Sequence, residues 1–221
     1  MLRAKLLRTL AGRIAGISTP HPLRVGIDGV DAAGKTTLAD ELAPLFCEFG
    51  RPVIRASIDG FHNPSTVRYR RGPTSPEGYF LDSFDHRALA RVLLQPLGSD
   101  GSRIYRRAVF DFKTDRTLDA PFETAPSNAI LLFDGVFLHR DELVQFWDFS
   151  VFLDVDFETT LARAEIRDAP LLGSAMDVRA RYNRRYIPAQ RLYLVTCNPR
   201  QRATVVIRNA DPDRPVIADA G

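Results

Sequence analysis

The sequence predicts an α/β fold with a mainly parallel sheet flanked by helices. Two observations carry that expectation. Apolar runs fit for buried strands alternate along the chain with segments of helical periodicity, the pattern of parallel strands joined by crossover helices. A glycine-rich segment, Gly29 to Thr36, stands between the first such strand and the helix that follows it. The composition agrees. A chain of 221 residues, 45% hydrophobic and 26% charged, is ordinary for a globular protein and long enough for one domain without disulfide or metal staples.

Arg3, Lys5, Arg8 and Arg13 precede the first acidic residue, Asp28, and Leu2, Leu6, Leu10, Ile14 and Ile17 recur at helical spacing. Residues 1–18 are therefore expected to form an amphipathic helix. Arg-rich, acid-poor segments also serve as transit peptides; a core strand following almost at once favours a helix packed on the domain. Thr19-Pro20-His21-Pro22 ends it, since proline lacks a backbone donor and disfavours helix before it. Leu23 to Ile27 reads as a buried strand, and a helical pattern runs from the glycine-rich segment to Phe49, stopped by Gly50. Pro52 to Ile58 is the next strand. Asp59 to Asp85, rich in Gly, Pro, Tyr and Arg, is expected to be a long functional loop. His86 to Leu94 reads as helix, Arg103 to Phe112 as strand or hairpin, and Ile130 to Phe133 and Ser150 to Asp154 as strands. Helices are expected over Phe157 to Arg167 and Asp177 to Leu194, with a lid loop over 168–178 marked by Pro170 and Gly173, and Ala203 to Ile207 closes the sheet.

Several function classes drop out early. The apolar run from Ala129 to Phe133 stops at Asp134, far short of a membrane span. A formal charge of +3 is too small to argue for nucleic acid. Cys47 and Cys197 form neither a disulfide framework nor a metal-ligand pair, and their sparseness suits a reducing cytoplasm.

Gly29 to Thr36 (Gly29, Val30, Asp31, Ala32, Ala33, Gly34, Lys35, Thr36) matches G-x-x-x-x-G-K-[ST] in the strand-to-helix setting that the mechanism requires. In such a phosphate loop, or P-loop, successive backbone N–H groups, here continuing into Thr37, point into one concavity at the positive end of a helix. Lys35 would neutralise the outer phosphates of ATP, and Thr36 would place a hydroxyl on Mg2+. Asp134, at the end of an apolar strand and followed by Gly135, suits the second magnesium position. The expected fold is thus that of a P-loop NTPase. No Asn-Lys dipeptide is present for reading guanine, and no L-S-G-G-Q signature of a transporter. Asp59, just past the second strand, is placed either to take a proton from an acceptor hydroxyl or to serve as a metal ligand.

At this point the chain resembles the uridine kinase and phosphoribulokinase family, over Leu23 to Asn209. The family's D-x-F-Y element is matched by Asp59-Gly60-Phe61-His62, its P-D-A-F-D by Leu81-Asp82-Ser83-Phe84-Asp85, and its Y-D-F-x-x-H by Phe110-Asp111-Phe112-Lys113-Thr114-Asp115. Its E-G corresponds to Asp134-Gly135, its L-R-D to Ile166-Arg167-Asp168, and its Y…P-A to Tyr182 and Pro188-Ala189. The resemblance implies that Asp59 is the base at a nucleoside 5′-hydroxyl and that Asp85 binds ribose hydroxyls, with Phe84 packing at the acceptor. It implies that Arg167 reaches from the lid to the phosphates. It also places Phe61, His62, Phe110 and Asp115 around the acceptor. His62 and Phe110 stand where the family has Tyr, Asp115 where a base-contacting His is expected, and Arg181 where a Gln is expected.

The expected function is ATP-dependent phosphoryl transfer to a small-molecule hydroxyl, by resemblance the 5′-hydroxyl of uridine or cytidine. Another riboside, a sugar or a pantothenate-like alcohol is the alternative acceptor, and a nucleotide-sensing regulator without turnover is the rival from another class. Arg163, Arg167, Arg179, Arg181, Arg184, Arg185 and Arg191 cluster about the lid, where guanidinium groups would close on phosphates. Tyr69, Arg70, Arg71 and Tyr79-Phe80 in the long loop are read as acceptor-pocket lining rather than a nucleic-acid surface. Uridine kinases often form oligomers, so a homo-oligomer is a further expectation of the resemblance.

Overall fold

The computed structural model describes residues 2–218. In chain order the strands are β1 (Leu23–Gly29), β2 (Val53–Ser57), the two-residue β3 (Ile104–Tyr105), β4 (Phe110–Asp111), β5 (Arg116–Thr117) and β6 (Glu123–Thr124), then β7 (Ile130–Gly135), β8 (Phe149–Asp154), β9 (Val205–Arg208) and β10 (Val216–Ala218). The helices are α1 (Arg3–Ala15), α2 (Lys35–Leu42), α3 (Ser65–Arg68), α4 (Pro76–Asp82), α5 (His86–Leu89), α6 (Phe157–Leu172), α7 (Ala175–Arg181), α8 (Ile187–Cys197) and α9 (Pro199–Arg202). The main sheet has the order β10-β9-β8-β1-β7-β2. Its neighbours are parallel except β10, which pairs antiparallel with β9. Thus β10, not β9, is the edge.

The sheet is apolar on both faces because helices cover both. Ile130, Leu132, Val25, Ile27, Val151 and Leu153 pack with α1 and α2 on one side, where Leu6, Leu10 and Ile14 are also buried. Leu131, Phe133, Ile54 and Phe152 turn to the other side, with Phe137 and Tyr193. At Gly26 a Cβ would come within 2.8 Å of the Trp147 ring, which stacks on Phe133; only glycine leaves that space. The amphipathic N-terminal helix is accordingly a core element, and Arg3 ties it to Glu41 of α2 and to the Pro212 carbonyl. Among the described residues no helix is long and apolar enough to cross a membrane.

Three expectations need correction. The segment from Asp59 to Asp85 is not a bare loop: it holds a short 3-10 turn, α3 and α4, each too short for a periodicity to register. The helical pattern through Phe49 changes to a 3-10 turn over Ala43–Phe49, where Pro44 supplies no N–H for the helical ladder. The lid over 168–178 is a helical hairpin rather than a loop. α6 continues to Leu172 with Pro170 inside it, and α7 begins at Ala175 on a reciprocal capping box between Ser174 and Asp177. Pro170 is tolerated because the unbonded Ile166 carbonyl belongs to an exposed residue, where water can serve it.

Candidate active site

In open α/β sheets the binding crevice forms beyond the carboxyl ends of the strands, and the main cleft of this protein, about 530 Å³, lies there. The phosphate loop emerges from β1 and opens α2. Gly29 is held against β8, where a Cβ would meet the Leu153 carbonyl at 2.8 Å; Gly34 has φ of 96°, left-handed backbone that glycine adopts at least cost. Asn209 donates to the Ala33 carbonyl at 2.8 Å, and Arg163 binds the Asn209 and Ala210 carbonyls and reaches that of Ala32. Lys35 Nζ folds back to the Val30 carbonyl at 2.8 Å. Burial pushes the Lys35 ammonium down and the Asp31 carboxyl up, each opposed by the other's charge.

Thr36 Oγ1 donates to Asp134 Oδ2 at 2.7 Å, and Arg55 donates to Asp134 Oδ1 at 3.0 Å. The β7 register brings Asp134 beside Ile27 of β1 and Ser57 of β2, so the loop threonine and the strand-end carboxylate meet by sheet pairing. Both are hard oxygen donors suited to Mg2+, which keeps several waters of its own; each carboxylate oxygen retains a lone pair after these bonds. Asp59 follows Ser57 by two residues and lines the same cleft. Asp59 is itself exposed to the cleft; desolvation by the protein around it, then Asp134, raises its carboxyl above the usual range. A carboxylate shifted this way is a better proton acceptor.

The end of the cleft away from the phosphate loop is built from other elements. His62 and Phe84 line it, bridged to one another across an isolated antiparallel pair, with the His62 ring between Phe84 and Phe112 at centroid distances of 4.6 and 4.8 Å. Burial lowers the His62 pKa to about 4, so the ring is neutral at physiological pH. Tyr79 donates to Asp31 at 3.0 Å, and Gln190 of α8 both accepts from the Asp31 N–H and donates to its carboxylate. Between α7 and α8 the helix widens into a π turn over Tyr182–Tyr186, ahead of Pro188, whose ring cannot sit against the carbonyl four residues back. Such turns concentrate at functional sites. This one presents Arg181, Tyr182, Arg185 and Tyr186 to the cleft. Arg167 enters from α6, paired with Asp168 at 2.6 Å and reaching the Tyr182 hydroxyl at 3.2 Å.

The structure thus brings Lys35, Thr36, Asp59, Asp134, Arg167, His62 and Phe84 to one cleft. Four expected acceptor residues stand elsewhere. Phe61 is fully buried in the core, packed on Phe133, because it is in the 3-10 turn whose inner side faces the sheet. Asp85 caps α5 by accepting from Ala88 N at 2.8 Å. Phe110 is buried behind the Arg68 guanidinium. Asp115 accepts from the Ser65 N–H and hydroxyl and from Arg68, pinning the β4–β5 ribbon to α3. Of the lid arginines, Arg163 serves the phosphate loop, Arg179 pairs with Glu165 and Arg191 lies over Phe157. Arg70 and Arg71 clamp the buried Asp82 and Phe80 joins the core, while Tyr69 and Tyr79 do line the cleft.

One buried cluster escaped sequence reasoning. Asp28 ends β1 with no exposure; it accepts from Gly29 N at 2.7 Å and from the Tyr193 hydroxyl, and its Oδ2 lies 2.6 Å from His139 Nδ1. His139 Nε2 in turn lies 3.0 Å from Ser150 Oγ. The network is closed to solvent and braces the strand that carries the phosphate loop.

Residues 25–211 match the phosphoribulokinase / uridine kinase family. The chain belongs to that family. Among curated proteins it is similar to uridine-cytidine kinase B of Dictyostelium discoideum, 27% identical over 86% of this chain and 76% of the relative. It is likewise similar to a uridine kinase of Brevibacillus brevis, 27% identical over 71% of each. A solved structure described as a possible uridine kinase from Bacillus stearothermophilus superposes with a TM-score of 0.73 and 28% identity, covering 92% of this chain and 97% of that one. Membership of this family supports ATP-dependent kinase chemistry at the P-loop.

Proposed function

We propose that the protein transfers the γ-phosphoryl group of ATP to a hydroxyl of a small acceptor bound beside Asp59. The observation that carries this reading is the meeting of Thr36, Asp134 and Asp59 at the mouth of the phosphate loop: Thr36 donates to Asp134 at 2.7 Å, and Asp59 lines the same cleft as both. Lys35 and the loop amides hold the phosphates, and Arg167 supplies positive charge from the lid as the transferring group moves. Thr36 and Asp134 would hold Mg2+, which when bound neutralises charge on the β- and γ-phosphates. Asp59 accepts the acceptor's proton. The hairpin of α6 and α7 excludes water that would otherwise hydrolyse ATP.

The resemblance puts the 5′-hydroxyl of uridine or cytidine first among acceptors. A second acceptor reading, another hydroxyl compound, is favoured by a specific observation. Asp85 and Asp115, the positions assigned to ribose and base, are engaged in capping α5 and α3, whereas Arg181 and Arg185 line the cleft. Magnesium-dependent ADP release, measured with uridine and cytidine in the parent and in Asp59→Asn, tests the kinase reading. Acceptor-stimulated release that the variant loses supports it; ATP binding with no release for any hydroxyl compound overturns it in favour of a regulator.

A further inference from the structure

The charges lining the cleft divide unequally between its two ends. At the phosphate end the cations are matched: Lys35 faces Asp31, and Arg167 is paired with Asp168 while its charge acts on Asp31 and Asp59. The other end differs. Arg185 is only 3% exposed, and its guanidinium finds nothing but neutral partners. It donates to the carbonyls of Pro73 at 2.6 Å, Gly72 at 3.4 Å and Arg68 at 3.4 Å, and lies over the rings of Tyr69 and Tyr79 at 4.9 and 5.7 Å. Its ionised form is disfavoured by burial and by the like charge of Arg181. Arg181 lines the same wall, and among the described residues neither has a carboxylate within ion-pair distance. Arg68, nine-tenths buried, gives one Nη to Asp115 and leaves its buried Nε without a partner.

A buried guanidinium without a counter-charge is expensive. These three converge on one end of a cleft whose opposite end is already furnished for phosphates. Asp115 answers Arg68 alone, and the side chains beside Arg181 and Arg185 are not charged to match them: His62 is neutral, and Phe84 and Phe112 are apolar. A neutral acceptor would leave two like charges facing each other with their water removed. An acceptor carrying its own anion would neutralise them through the planar fork that arginine offers to carboxylate and phosphate oxygens.

We propose that the acceptor is a hydroxyl compound bearing an anionic group, a carboxylate or a phosphate ester, held by Arg181 and Arg185 with Arg68 behind them, its hydroxyl presented to Asp59. This rests on the kinase reading and names the acceptor class for it. In the step, the hydroxyl oxygen forms a bond to the γ-phosphorus as its proton passes to Asp59. The bond from that phosphorus to the β–γ bridging oxygen breaks, and ADP leaves with the electron pair. The helix running from the end of α7 through the π turn presents residues 181, 182, 185 and 186 to the cleft.

The test compares ADP release by the intact protein with Mg2+ and ATP across three sets of acceptors. Uridine, cytidine and ribose are neutral; glycerate and pantothenate carry a carboxylate; ribose 5-phosphate and ribulose 5-phosphate carry a phosphate. The expected result is a kcat/KM for at least one anionic acceptor about a hundredfold above every neutral one, with the carboxylate and phosphate sets showing which anion is used. Arg181→Gln and Arg185→Gln should each raise the KM for that acceptor about tenfold or more with kcat little changed, the mark of lost ground-state binding. Arg185 is buried, so if its variant fails to fold, the half-buried Arg181 decides alone. Turnover of uridine or cytidine at or above the anionic sets overturns the proposal while the kinase reading stands, as does an unchanged KM in Arg181→Gln. Silence of all three sets with ATP still bound overturns both.

Discussion

The two ends of the cleft are made differently. The phosphate end is mostly backbone and element termini: Gly29 locked against β8, Thr36 at the start of α2 joined to Asp134 at the end of β7, Asp28 sealed beneath them. The acceptor end is side chains delivered by short pieces, among them the turn after β2, the loop before α4, the β4–β5 ribbon and the π turn of the lid. Every kinase of this type binds the same triphosphate, so that end can be a rigid, general fixture. The acceptor differs from one kinase to the next, and its end is assembled from segments that change without disturbing the sheet. The difference teaches where to look for specificity in this chain: in α3, α4 and the widened helix, not in the phosphate loop.

Substitutions at the general end should abolish chemistry whatever the acceptor. The largest effect is expected for Lys35→Ala, a fall in kcat of about 10³-fold or more for every acceptor, read by ADP release with circular dichroism as a control on folding. Asp59→Asn should cost about 10²–10⁴-fold and should also change the pH profile. Because its carboxyl is raised, the parent loses rate as pH falls through that raised value, and the variant loses this limb. The same shift has a sign for stability. The folded state holds the Asp59 proton more tightly than the unfolded chain, so ionisation lowers stability as pH rises through the folded value. Asp59→Asn should therefore melt slightly above the parent at neutral pH, and a lower Tm would contradict a raised Asp59 carboxyl. Thr36→Ala should raise the magnesium concentration needed for half-maximal rate about tenfold, leaving acceptor preference untouched. A change of preference would blur the division between the two ends. The smallest effect on turnover is expected for Tyr193→Phe, which deprives the buried Asp28 of a donor. It should lower stability to denaturant by about 1–3 kcal/mol with kcat near the parent's.

The same division explains what could be read in the sequence. The phosphate loop is contiguous, and a contiguous motif carries its own geometry; Asp134 and Asp59 were legible because each ends a short apolar strand, so position follows from the strand. The acceptor residues have no such frame. Asp85 and Asp115 sit in recognisable motifs, yet a cap on α5 and a left-handed residue at φ 54° in the β4–β5 ribbon turn their carboxylates to backbone. By sequence, Arg181 and Arg185 read only as members of the lid's arginine cluster, with nothing to single them out as facing an acceptor. A π turn alters the angular step between residues, and a 3.6-residue period cannot foresee which side chains then face inward. The buried Asp28 network was invisible for a related reason, since His139, Ser150 and Tyr193 come from three separate segments.

From residue 175 to 197 the lid helix, the widened turn and α8 form one continuous rod. Its outer stretch carries Arg181 and Arg185 on the cleft wall. Farther along, Gln190 grips Asp31 of the phosphate loop, and Tyr193 grips Asp28 at the loop's root. In mechanical terms this is a beam resting on two bearings, with its arginine end projecting beyond them. A tilt at the end that greets the acceptor cannot be confined there; it loads the bearings under the triphosphate as well. Replacements along the beam should therefore be scored for both substrates at once, and a redesign of acceptor preference is safest where it exchanges side chains without altering the beam's pitch.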